Sequence, residues 1–138
     1  YSGHPVACAV ASKVIDIYQR ERLFEHAAEV GGYLQAQLGK FAEHPLVGEV
    51  RGMGMIAALE LVANRDTRQA FDGNAVGAFC QQRCQDNGLL VRAMSGNAIA
   101  LCPPLILSRE QVDELVDKLG RALDATLDHV KAEQLLVA

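Results

Sequence analysis

The sequence opens without methionine, and neither a charged leader nor an apolar export segment stands at its start. No apolar run approaches the ~20 residues that a membrane-spanning helix requires, so a helical membrane protein is not expected. Lysine and arginine form no patch, and the formal net charge is -4. That balance argues against a nucleic-acid or anionic-membrane surface, either of which needs clustered cations. The cysteines, Cys8, Cys80, Cys84 and Cys102, come with no CxxC or HxxxH, so no metal site is expected. Cys80 and Cys84 lie four apart on one side of an expected helix. Buried thiols in a reducing compartment are the natural reading of all four cysteines. A GxGxxG after a strand, a GxxxxGK[ST] phosphate loop, internal repeats and low-complexity stretches are all absent.

What is present has the size and make-up of one soluble domain, with half its 138 residues apolar and 22% charged. The opening YSGHPVACAVAS runs from a polar turn straight into a helix, with Pro5 at its first position, where a missing N–H costs nothing. A chain that starts where a loop enters a helix reads as the interior of something longer. Val10, Val14, Ile17 and Tyr18, and then Leu23, Ala27, Val30, Leu34, Leu38 and Phe41, extend an apolar stripe at helical spacing. This is one long helix or two in series, with a bend expected at Gly31-Gly32.

The run VGEVRGMGMIAALELV (47–62) changes period, and both alternating sets are largely apolar after Met55. It reads as one strand covered on both faces, with a bend at Gly52 and Gly54. A helix is expected within 69–87, stopped at Asn87-Gly88. LLVRA (89–93) and NAIAL (97–101) follow as hairpin strands around Met94-Ser95-Gly96. Ser108 with Gln111 makes a capping box for a last helix, whose tail KAEQLLVA is expected to fray. The expected class is α+β, with a three-stranded, largely antiparallel sheet covered by helices.

Chemistry is sparse in the residues themselves. His4, His26, His44 and His129 are scattered, with no triad spacing, and read as surface or capping residues. RGMGM enters a strand rather than a helix, so it suits a bend better than a phosphate site. Tyr1-Ser2-Gly3 puts hydroxyls before a helix N-terminus, which serves either an ordinary entry turn or an anion. Arg92 sits at the end of an apolar strand. There an arginine either directs its planar fork into a cleft to pair with a carboxylate or leans from an edge into water. Spacing does not choose between them.

Three segments together do. YSGHPVACAVA, VRGMGMIAALELV and GLLVRAMSGNAIALCPPLILSREQVDELVDKL resemble the class III aminotransferases, in the same order and over essentially the whole chain. The closest resemblance is to the ω-amino acid:pyruvate branch. It implies a fold type I enzyme with pyridoxal phosphate as cofactor, in which residues 1–43 link a large domain to a small C-terminal domain at 44–138. The Schiff-base lysine, the Asp under the pyridine nitrogen and the stacking aromatic would belong to the large domain; Lys13, Lys40, Lys118 and Lys131 do not match the family's lysine motif.

The resemblance further implies a ping-pong transfer of an amino group from an amine or ω-amino acid to a keto acid such as pyruvate. Arg92 is then the substrate-carboxylate clamp. Tyr1 and Ser2 stand beside the partner subunit's cofactor across the interface of a cytoplasmic homodimer or tetramer. Arg51 is structural, anchoring the bend before its strand. Taken alone, this chain is expected to be inactive, with Val6, Ala7, Val10 and Ala11 exposed where the large domain would pack. The alternative is a stand-alone, non-catalytic binding module of the same fold. An upstream large domain in the encoding DNA would eliminate it.

Overall fold

The structure, a computed structural model, describes residues 2–137. Helix α1 (Pro5–Arg20) starts at the proline, as its fixed φ favours. It ends where Arg22 adopts the left-handed conformation at φ 52°, and α2 (Leu23–Gly39) follows at once. The break therefore falls ahead of Gly31-Gly32, and α2 continues through both glycines. Gly31 serves a different purpose. A Cβ there would stand 2.7 Å from the Gly54 carbonyl carbon, so the missing side chain lets a strand turn press on the helix. Gln35 Nε2 then donates to the carbonyls of Gly54 (2.9 Å) and Ile56 (3.1 Å), closing the junction.

That turn corrects the single strand expected at 47–62. Two strands, β1 (Val47–Met53) and β2 (Ile56–Asn64), form an antiparallel hairpin around Gly54-Met55. Gly54 at φ 57° supplies the positive angle that tight hairpin turns require. After the two-residue β3 (Gln69–Ala70) come α3 (Ala75–Asp86), β4 (Arg92–Met94), β5 (Ala98–Leu101) and α4 (Arg109–Ala132). The class is α+β as expected, but the sheet has five strands rather than three. Its order is β1-β2-β5-β4, with β3 paired to the end of β2, and every pairing is antiparallel.

Helices α2, α3 and α4 cover one face of the sheet. Leu34 and Leu38 from α2, Cys80 and Cys84 from α3, and Leu119 and Leu123 from α4 meet Leu59, Leu61 and Ile99 in a core with no exposure at any of these positions. Cys80 and Cys84 are thus buried, whereas Cys8 and Cys102 are exposed thiols, contrary to their reading as buried. The neighbouring Cys80 sulfur, with burial, holds the Cys84 thiol above the ordinary range, so it stays protonated. The capping box at Ser108 and Gln111 forms with both its bonds. The tail leaves the helix after Ala132 and is tied to β2 near its end. Val137 N–H donates to the Ala63 carbonyl at 3.1 Å, and Asn64 Nδ2 donates back to the Val137 carbonyl at 3.2 Å.

Two apolar surfaces remain open. Helix α1 buries none of its residues, with Val6, Val10 and Ile15 each more than half exposed. The second surface is the sheet face opposite the helices. No helix in the described residues is long and apolar enough to cross a membrane.

Candidate functional site

Side chains directly opposite one another on antiparallel strands share a face, so the pairing register sorts the sheet. Leu59 pairs with Ile99 and Ile99 with Ala93, on the side packed against the helices. The next row is Arg51↔Ala58, Ala58↔Ala100 and Ala100↔Arg92, on the uncovered side. Arg51 and Arg92 therefore stand at the two ends of one row, three strand spacings or about 14 Å apart. Two half-buried alanines lie between them. Parallel to this row runs Glu60, Ala98 and Met94, and on its other side Met53 and Ile56.

The uncovered face is apolar in its middle. A hollow of about 420 Å³ lies over Ala58 and Ala100, bounded by Arg51, Met53 and Ile56. Met53 is 85% exposed and Ile56 63%, values unusual for such side chains on an enduring outer surface.

The two arginines differ in their company. Arg51 Nη1 donates to Glu60 at 2.6 Å and to Glu49 at 3.2 Å. The bond to Glu60 helps push its pKa above the ordinary guanidinium value. This fits the structural role expected for Arg51. Arg92 is exposed on the edge strand β4 and joins none of the ion pairs among the described residues. Among the described residues its cation has no anionic partner.

The other expected contributors are not gathered there. Tyr1 lies outside the described residues. Ser2 is exposed ahead of α1, whose 16 residues put it about 24 Å along the axis from the junction with α2. Gln81, given no role by the sequence, and Asn97, expected only at the start of a strand, both hold the Arg92 hairpin. Asn97 is fully buried in the left-handed conformation at φ 58°, and the Gly-Asn pair of an expected turn was the available signal. His44, expected as a surface or capping residue, is half-buried and takes the capping part. Its Nδ1 accepts from Leu46 N–H at 3.2 Å, and burial lowers its pKa despite Asp124 at 3.5 Å.

The sequence model of the family "Aminotransferase class-III" matches residues 1–123. The chain belongs to the class III aminotransferases. It is 47% identical over 133 residues to the putrescine–pyruvate aminotransferase of Pseudomonas aeruginosa, covering 96% of this chain and 29% of that protein. Gamma aminobutyrate transaminase 1, a mitochondrial protein of Solanum lycopersicum, is 39% identical, covering 95% of this chain and 25% of its own length. Among solved structures, an omega transaminase from Pseudomonas jessenii in complex with PMP superposes with a TM-score of 0.88 at 45% identity, over 94% of this chain and 28% of that one. This chain thus spans less than a third of the length of these relatives.

Class III aminotransferases use pyridoxal phosphate, and the residues in this chain do not by themselves fit a covalently held cofactor. Lys118 reaches Glu114 at 2.5 Å and the Gly88 carbonyl at 3.4 Å, on the helical side of the sheet. Lys40 bonds the Gln37 side chain, and Lys13 and Lys131 are exposed on α1 and α4. All four lysines lie on helical segments, and none is on a strand of the sheet that carries Arg92.

Proposed function

We propose that this chain is the C-terminal portion of a pyridoxal-phosphate-dependent aminotransferase, in which Arg92 binds the carboxylate of the amino-group acceptor. The observation that carries the reading is a guanidinium with no ion-pair partner among the described residues, on a sheet face left open beside apolar ground. An arginine held without a carboxylate of its own retains its bidentate donors for a ligand. The reaction moves an amino group from an amine or ω-amino acid to a keto acid, for which pyruvate fits the Pseudomonas aeruginosa relative's name. The cofactor acts as the electron sink of the chemistry. This chain's own share is to bind and orient the acceptor and to roof the cleft.

The rest of a longer polypeptide covers the open sheet face and the exposed stripe of α1, with residues 1–43 as the link and 44–138 as the small domain. Intact, the protein is a cytoplasmic fold type I homodimer or tetramer, with Ser2, and Tyr1 before it, near the partner subunit's cofactor. Alone, this chain does not transaminate, because the amine that would hold the cofactor lies elsewhere.

Arg92→Ala in the complete enzyme tests the reading. Losing charge-assisted bonds to a carboxylate lowers kcat/KM for pyruvate on the order of 10²-fold, while a donor amine without a carboxylate changes little. Equal losses on both substrates remove Arg92 from the role. Full transamination by the 138-residue chain supplied with pyridoxal phosphate removes the claim of inactivity.

A further inference from the structure

Strand β4 is a three-residue edge with one neighbour, β5, and such a strand is weakly anchored by its ladder. A carboxylate clamp on it needs its backbone held from elsewhere, since a displacement of about 1 Å at a binding group costs up to ~10²-fold in rate.

Helix α3 provides the hold through side-chain amides. Gln81 Oε1 accepts from the Ala93 N–H at 2.6 Å. Asn97 Oδ1 accepts from the Gly77 N–H at 2.8 Å, serving a donor in the first turn of α3 that a helix's own N-cap normally serves. The actual N-cap, Asn74, makes no such bond to its helix and instead accepts from the Gly96 N–H in the hairpin turn at 2.9 Å. Helix and hairpin have exchanged caps. Asn97 completes the clasp by donating Nδ2 to the Gly73 carbonyl at 2.8 Å, and its backbone carbonyl accepts from Leu61 N–H at 3.2 Å.

These bonds have unequal consequences. Asn97 is fully buried, and a Cβ on Gly77 would lie 3.0 Å from its Cα, so the exchanged caps belong to the packing of the fold. Gln81 is only half-buried, and water can replace it at an edge. What it uniquely touches is the peptide unit joining Arg92 to Ala93. That unit is planar, so holding its N–H also fixes the direction of the Arg92 carbonyl and hence Arg92 ψ.

We propose that Gln81 is a positioning residue for Arg92, locking the peptide plane from which the guanidinium reaches the acceptor carboxylate. The inference rests on the reading of Arg92 as the clamp. It assigns Gln81 no contact with substrate. The side chain works from the helical side of the sheet, while Arg92 projects from the open side.

The test uses the complete enzyme with pyruvate and a carboxylate-free amine. Gln81→Met keeps the length of the side chain and removes the acceptor oxygen, and Gln81→Glu keeps an acceptor. Gln81→Met is expected to raise KM for pyruvate about tenfold, leaving kcat and the amine's kcat/KM within about twofold. Gln81→Glu restores the pyruvate KM. Hydrogen exchange at the Ala93 amide speeds up in Gln81→Met and not in Gln81→Glu, which reads the bond independently of activity.

An unchanged pyruvate KM in Gln81→Met overturns the proposal, as does an equal loss on the amine, failure of Gln81→Glu to restore, or unaltered exchange at Ala93. Arg92→Ala run in parallel separates the two levels. If it raises the pyruvate KM while Gln81→Met does not, only the positioning role falls. If Arg92→Ala itself leaves pyruvate untouched, the clamp reading falls first.

Discussion

Arg51 and Arg92 occupy the two ends of one row on the same sheet face, yet one is neutralised and the other is not. Arg51 has Glu49 beside it on its own strand and Glu60 on the next, so its fork is spent within the hairpin. Arg92 has Ala98, Ala100 and Met94 on the corresponding positions of its own hairpin. The difference lies in the neighbours that the register selects. It shows how a single sheet face makes one arginine a brace and leaves the other without an ion pair among the described residues.

The largest expected effect contrasts the two faces of β2. Leu59 is unexposed beneath the helices, so Leu59→Ala costs about 2–5 kcal/mol by denaturant unfolding of this chain. Ala58→Ser, one residue away on the open face, changes stability by no more than about 0.5 kcal/mol. Comparable costs would mean that the faces have been assigned wrongly.

Next in size is a pH effect in which a guanidinium takes no part, since it does not titrate in the relevant range. Burial lowers the pKa of His44, and protonating Nδ1 would oppose the Leu46 N–H that donates to it. The folded state therefore favours the neutral ring. Its contribution is fully present above the ordinary histidine pKa of about 6.5 and is lost as pH falls toward the depressed folded value. Unfolding free energy drops there by at most about 1.4 kcal/mol per pH unit, and His44→Gln flattens this part of the profile. A profile unchanged by the substitution contradicts the assignment.

Removing one charge of the brace is the smallest change. The Arg51–Glu60 pair is more than a third exposed on both sides, so solvent screening keeps the cost of Arg51→Ala below about 1 kcal/mol. In the complete enzyme the same substitution leaves kcat/KM for pyruvate within about twofold. A pyruvate defect as large as that of Arg92→Ala would erase the distinction between the two arginines.

Local signals carried much of the fold into view. Pro5, Asn87-Gly88 and the Ser108–Gln111 box each act within a few residues, and each marks the helix end it should. The departures come from contacts distant in sequence. Met55 is apolar because it is buried in the core, which hid a hairpin turn inside what reads as one strand. Gly31 resembles a helix bend but answers to the backbone of Gly54. The chain breaks instead at Arg22, whose residue type gives no warning of a left-handed conformation. At the candidate site, the resemblance singled out Arg92, but its face depends on pairing with Ala100, and its support on a glutamine eleven residues earlier in another element.

Everything proposed for the site turns on contact between Arg92 and the acceptor's carboxylate. A crystal structure of the complete enzyme with a bound keto acid measures it directly. Two guanidinium nitrogens are expected at about 2.7–2.9 Å from the two carboxylate oxygens. A carboxylate held by another cation, with Arg92 turned to solvent, would contradict it.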